Sequence, residues 1–454
     1  MTVREIRTTP DVLTLARRLS GRPGVAVLAS AGPGPASDDT RFSFLACDPI
    51  DVSEAWSPEV DGAAKAHGWA GAPAAPRWIG AIPYEAGRGL ERAAWRPAET
   101  RPSPPLVRPR WQRYDAVARV DQWTGTVAIE ADTDAAAERL ARLLTRDDAA
   151  PATLDAPAAH VELRLEPGSE AEPDLAHVAR VREILRLIGE GDVYQVNLAR
   201  CVVLQALGRP LDVFTALFKG APVPYGFFID FGELSVCGTS PELALEIRGE
   251  RLRTAPIKGT RPRGDDAEGD AKLARELDTD AKERAELTMA VDLHRNDLGK
   301  IAVAGSVHVR GAPRVVAGKT VWSRVAEIVA RRAPGITLDE ILHAVVPCGS
   351  VTGAPKIRAM EIIASLEPFR RGLYTGTYGY VGRDGGVVLA MAIRTLEISA
   401  GGRARYCTGG GIVHGSDPWR ELEETRWKAA HVLGLVHATP PKSVRNLAEP
   451  RRWA

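Results

Sequence analysis

The segment from Tyr225 to Ile257 reads as strand and turn interrupted at 239–242, with apolar residues alternating from Leu243, whereas from Leu175 to Ile188 apolar residues recur at steps of three and four. Alternation puts every second side chain on one face of a strand, and three- and four-residue steps put them on one stripe of a helix. Leu175, Val178, Val181, Ile184, Leu185 and Ile188 therefore predict an inward helix stripe, stopped by Gly189 and Gly191. A strand over 193–200 follows. Gln195 and Asn197 share one of its faces and Val196 and Leu198 the other, so the two amides either line a polar pocket or form the wet side of an edge strand. Further on, Leu243, Leu245 and Ile247, then Leu252, predict a hairpin turned at Arg248-Gly249-Glu250.

The hairpin leads into 256–264, Pro-Ile-Lys-Gly-Thr-Arg-Pro-Arg-Gly, read as a turn whose free N–H groups and three cations suit an anion; the alternative is a solvated basic loop. Two helix starts after it have the same build. Asp280 caps one, with Glu283 and Glu286 three residues apart; Asp417 caps the other, with Pro418 first and Glu421 and Glu424 three apart. Carboxylate pairs on two helices fit a divalent cation, and oxygen ligands without His or Cys fit Mg2+; acidic first turns are also ordinary capping. Between these helices, strands over 373–381, 387–398 and 403–408 predict an antiparallel meander, with Arg394 inside the central strand and in need of a carboxylate partner. Gly409, Gly410 and Gly411 end it, either as a tight turn or as bare N–H groups facing an anion.

Ahead of all this, short strands over 25–28, 42–47 and 116–120 predict an open α+β lobe. Aromatics beside charges at 78–85 and 110–115 read as amphipathic side chains covering a domain seam. Residues 147–174, depleted in large apolar side chains, read as a surface linker. The expected organisation is an N-terminal lobe over 1–146, a linker over 147–174, a catalytic domain over 175–437 and a tail over 438–454.

Charge narrows the partners: 59 Lys and Arg against 58 Asp and Glu leave +1, too little for nucleic acid or an anionic membrane. The chain shows no apolar run of about 18 residues, so no membrane span or export signal is expected. Its five cysteines are odd in number and scattered, which predicts reduced thiols in a cytoplasm.

The motifs, taken in order, resemble the chorismate-utilising enzymes: anthranilate synthase component I, aminodeoxychorismate synthase component I, isochorismate synthase and salicylate synthase. They are Gly191–Asn197, Thr239–Glu242, Pro256–Gly264, Lys282–Glu286, Asp292–Gly299, Gly349–Lys356, Arg371–Tyr374, Ala392–Thr395 and Gly409–Val413 through to Lys428. The resemblance spans about 172–436; the N-terminal part shares it through 41–49 and 80–85. It implies an α+β fold of two large antiparallel β-sheets packed with outer helices. By the same resemblance Glu283, Glu286, Glu421 and Glu424 hold Mg2+ and, through it, the ring carboxylate of chorismate. Gly259, Thr260 and Lys428 would hold that carboxylate too, and Tyr374, Arg394, Gly410 and Gly411 the enolpyruvyl carboxylate. Glu242 would be the general acid or base. Gln195 stands where the water-using members carry lysine, so ammonia is the implied nucleophile. Lys258 stands where anthranilate synthases carry alanine, which implies the aminodeoxychorismate synthase subgroup and a covalent lysine. That lysine must be a free amine, a requirement that Arg261 and Arg263 nearby would help to meet.

One position departs from the family: Thr320 replaces a histidine. The rivals left open are a C2-aminating synthase and a chorismate-binding subunit without catalysis. None of the five cysteines fits an amidotransferase nucleophile, since Cys348, beside Gly349-Ser350, lies in a synthase motif. A separate glutamine amidotransferase subunit is therefore the expected source of ammonia.

Overall fold

The computed structural model describes residues 1–31, 40–59, 75–89, 100–146, 162–165, 174–319 and 321–434. Thr320 and the expected tail over 438–454 lie outside the described residues, as does most of 147–174.

Apolar residues on both faces of many strands, as in the wholly buried Ala26–Ala29 and Thr377–Gly382, require cover on both sides. The architecture provides it. One twelve-stranded sheet runs through Thr2–Ile6, Thr126–Ala131, Ala116–Asp121, Phe42–Ala46, Ala26–Ala29, Tyr225–Asp230, Leu234–Ser240, Thr395–Ser399, Arg403–Val413, Gln195–Leu207 and Gly353–Ala354, with Glu162–Leu165 pairing off this path. A nine-stranded sheet runs through His308–Val309, Ile328–Arg331, Arg251–Ala255, Leu243–Arg248, Val387–Met391, Thr377–Gly382, Pro76–Ile82, Arg110–Arg113 and Asp51–Ser53. Each sheet takes strands from both sides of the 147–174 segment.

Between the two sheets lies a shared core that includes Phe44, Ile79, Phe227, Tyr378 and Tyr380, with the rings of Phe227 and Tyr378 stacked at 3.5 Å. Helices Val12–Arg18, Asp134–Leu144 and Pro210–Gly220 supply the cover of the larger sheet. Helices Ala281–Gly299 and Leu338–Val345 cover the smaller one. The expected fold class, two large antiparallel sheets with outer helices, is the observed one. Among the described residues no helix is long and apolar enough to cross a membrane.

Several expectations need correction. The helix Asp174–Gly189 buries Val178, Val181 and Ile184, but Leu175 is 70% exposed because it falls in the first turn, outside the packed stripe. The expected linker contains a strand, Glu162–Leu165, paired with Gln195–Leu207. Trp111 and Tyr114, expected as amphipathic cover of a domain seam, are fully buried, and Trp78 and Tyr84 nearly so, because 76–82 and 110–113 are neighbouring strands under cover. The basic stretch at 256–264 is largely a strand, Ile257–Pro262, paired with Val321–Val325 at the edge of a three-stranded sheet rather than a free turn. The predicted central strand over 387–398 breaks: Val387–Met391 belongs to the smaller sheet and Thr395–Ser399 to the larger. Arg394 sits at this crossover with φ +54°.

The cysteines depart too. Cys201 and Cys407 lie directly opposite in the antiparallel register and are joined as a disulfide, Cα–Cα 4.1 Å, while Cys47, Cys237 and Cys348 are free and buried. Pairing across 206 residues is set by strand register and leaves no spacing signal in the sequence.

Candidate active site

Strand alternation decides the Gln195 question. Val196 and Leu198 pack on Val181, Ile184, Ile362 and Ile363, so Gln195 and Asn197 face the other way, the side on which Ala199 meets Tyr374 and Cys407. Both amides are almost fully buried, and Gln195 Nε2 and Asn197 Oδ1 have no hydrogen-bond partner. Two orphaned polar atoms under cover favour the pocket over the wet edge. A Cβ on Gly411 would come within 3.1 Å of Gln195 Nε2, so the glycine keeps this corner open.

Local chemistry places the carboxylates. Asp280 accepts from the N–H of Lys282 and Glu283, and Asp417 from those of Trp419 and Arg420, starting helices Ala281–Gly299 and Pro418–Leu433. Gly259, at φ +78° in a bulge of its strand, lies against the first: a Cβ there would meet Glu283 Oε2 at 2.9 Å. Gly410 lies against the second, where a Cβ would meet Glu421 Oε2 at 3.2 Å and Glu424 Oε1 at 3.5 Å.

Two of the glutamates show the cost of sharing a buried site. Burial, reinforced by Glu424, pushes Glu421 up to about 7. Burial also raises Glu286, with Glu283 and Glu424 adding to it and Lys282 and Lys258 opposing. Glu424 is lowered by Lys428, whose Nζ lies 2.5 Å away and also donates to Gly409 O at 2.9 Å. Glu283 is paired with Arg261 at 3.1 Å. Four crowded carboxylates with oxygen-only donors fit Mg2+ in chemistry. As the side chains stand, no group of three or more His, Cys, Asp or Glu among the described residues is close enough to hold a metal ion.

Lys258 is central to the electrostatics: its charge acts on Glu242, Glu286, Glu424 and His294. Glu242, 6% exposed, is pushed up to about 7 by burial, against the pull of Lys258 and a 3.4 Å bond from Ser350 Oγ. An acid held near neutrality can both give and take a proton. Arg394 has Glu242 and Tyr406 as electrostatic neighbours, and burial lowers its pKa. Contrary to expectation it forms no ion pair with a carboxylate among the described residues, because the crossover turns it out of the sheet ladder. Burial pushes Tyr374 up to about 12, with Arg371 and Lys428 opposing, so it stays a neutral donor.

Arg261 and Arg263 do not serve Lys258. Arg261 is committed to Asp280 and Glu283, and Arg263 to Asp270 at 2.5 Å. Thr260 is exposed beyond the bulge, and its carbonyl accepts from Arg261 Nη1 at 3.0 Å, the same nitrogen that pairs with Glu283.

Sequence reasoning missed a supporting layer. Arg371, 1% exposed, bonds Glu367, Val351 O, Asn197 O and Thr375 Oγ1, fixing the Gln195 strand and the Tyr374 turn to one hub. Its main-chain N donates to Glu85, which ties in the N-terminal part. Asp297 pairs with Lys356 at 2.6 Å beneath His294, whose Nδ1 meets Thr254 Oγ1 at 2.7 Å. Lys282 was passed over as well, although a lysine in the first turn of a helix opposes the macrodipole and is a signal in itself.

The chain is similar to known proteins in sequence and in fold. Over 325 residues the chain is 38% identical to anthranilate synthase component 1 of Haloarcula marismortui, covering 71% of this chain and 65% of the relative. It is 38% identical over 376 residues to an aminodeoxychorismate synthase of Streptomyces griseus, covering 80% of this chain and 50% of that protein. The chain thus spans about half to two-thirds of the length of these curated relatives. The crystal structure of anthranilate synthase component I from Streptococcus pneumoniae superposes with a TM-score of 0.72 at 28% identity, covering 88% of this chain and 93% of that one. Residues 37–434 match the chorismate binding enzyme family, and with that match, the fold and the clustered motifs in agreement, the chain belongs to this family.

Proposed function

We propose that the chain aminates chorismate at C4, making 4-amino-4-deoxychorismate for p-aminobenzoate synthesis, as an aminodeoxychorismate synthase component I. The observation that carries the reading is Lys258 set among Glu242, Glu286 and Glu424, with Glu242 held at about 7. The Lys258 amine attacks C2 of the ring as the C4–O bond breaks, and Glu242 gives its proton to the departing hydroxyl, which leaves as water. Ammonia then bonds to C4, the C2–N bond breaks, and the lysine leaves as a free amine. Arg394 and Tyr374 hold one carboxylate of the substrate, and Lys428 the other. Glu283, Glu286, Glu421 and Glu424 would hold Mg2+, which would supply positive charge beside the ring carboxylate. Gln195 in place of a lysine base favours ammonia over water. The ammonia comes from a separate glutamine amidotransferase subunit, since the three free cysteines are all buried and Cys348 is pushed well up by burial.

Amination at C2 is the second reading, favoured by the similarity to anthranilate synthase component 1. Product NMR after incubation with chorismate, Mg2+ and ammonium at raised pH separates the two. The proposal expects the amine at C4 and its loss in Lys258→Ala. An amine at C2, near-normal C4 amination by Lys258→Ala, or no turnover by the intact chain overturns it. Glutamine supports product formation only when the amidotransferase is added; efficient glutamine use by the purified chain alone refutes the separate partner.

A further inference from the structure

Lys282 is the second residue of the Ala281–Gly299 helix, in the turn capped by Asp280. A cation there faces the positive end of the macrodipole, and a lysine placed four residues before its glutamate is the weaker orientation of such a pair. Its own helix therefore gives little reason for an ammonium at this position.

The reason lies across the site. Lys282 Nζ is 3.4 Å from Glu286 Oε1. Glu421 and Glu424, at the start of the Pro418–Leu433 helix, are electrostatic neighbours of the same ammonium. One ammonium thus serves carboxylates from both helices, the groups that the Mg2+ reading assigns to the metal. The neighbouring cations are held more firmly. The side chain of Arg261 is 27% exposed and bonds two carboxylates; that of Lys428 is 41% exposed and also holds Gly409 O. The Lys282 side chain is 58% exposed, on a flexible four-carbon stem that can swing to solvent.

We propose that Lys282 is the resident counter-ion of the carboxylate site. It offsets the repulsion of Glu286, Glu421 and Glu424 while no metal is bound, and a divalent cation enters by displacing its ammonium into water. This rests on the Mg2+ reading above.

The test titrates the metal-free protein with Mn2+, without chorismate, and reads free Mn2+ by its EPR signal. Lys282→Gln binds Mn2+ about threefold to tenfold more tightly than wild type, the scale expected for losing one or two half-exposed ion pairs. Lys282→Arg keeps the wild-type affinity within about twofold, on the same footing. Metal-free Lys282→Gln melts below wild type, and saturating Mn2+ closes the gap. Equal or weaker Mn2+ binding by Lys282→Gln, beside a wild type that binds, overturns the counter-ion role and leaves the metal site standing. A melting gap that persists with Mn2+ overturns it as well. No binding by either protein sinks both.

Discussion

Replacing Glu242 by Gln removes one ionisable group from a position only 6% exposed. Gln keeps the size and can still accept from Ser350 Oγ and the Ile257 N–H, the bonds that Glu242 accepts. Burial raises the carboxyl from 4.5 to about 7 in the folded chain. Between those values the folded chain holds a proton that the unfolded chain has released, so wild-type stability falls as pH rises. The contribution is fully present below about pH 4.5 and lost above about pH 7; at 1.36 kcal/mol per pH unit it amounts to about 3 kcal/mol. The Gln variant carries no such proton. Urea unfolding of both proteins from pH 4.5 to 8.5, without metal or substrate, measures the difference. Relative to wild type, Glu242→Gln gains about 3 kcal/mol across that range, while its amination rate drops by about 10²–10⁴, the usual scale for losing a general acid. A stability difference that does not change with pH refutes the buried, proton-holding Glu242.

Glu286→Gln and Glu424→Gln each raise the Mg2+ requirement and the chorismate KM together, since metal and ring carboxylate bind as one unit; unchanged Mg2+ titrations in both return these glutamates to ordinary helix capping. Arg371→Met leaves Glu367 charged and fully buried, and costs about 3–5 kcal/mol in chemical unfolding. A loss under about 1 kcal/mol refutes the hub role. Thiol labelling under denaturing, non-reducing conditions finds three reactive cysteines, and five after reduction, by intact mass. Five without reduction refutes the Cys201–Cys407 bond.

Some of this protein was decided by residues close together in the chain. Asp280 and Asp417 cap their helices because an N-cap is a contact over two or three residues, so the orientation of Glu283, Glu286, Glu421 and Glu424 could be read directly. The hairpin around Gly249 and the Val178–Ile184 stripe are local in the same sense. The order of the motifs added the family.

Tertiary structure alone decided the rest. The stretch at 387–398 looks like one strand, because alternation does not say which sheet a strand joins; the break that frees Arg394 appears only when the two sheets are stacked. Arg261 and Arg263 read as anion binders until the folded chain brings Asp280, Glu283 and Asp270 to them. Cys201 and Cys407 meet through the register of strands 206 residues apart. The pKa of Glu242 and the place of Lys282 among three carboxylates follow from burial and from charges on distant segments. Sequence fixes which groups a chain carries, but a charge is set by the dielectric and the neighbours around it, and those exist only once the chain has folded.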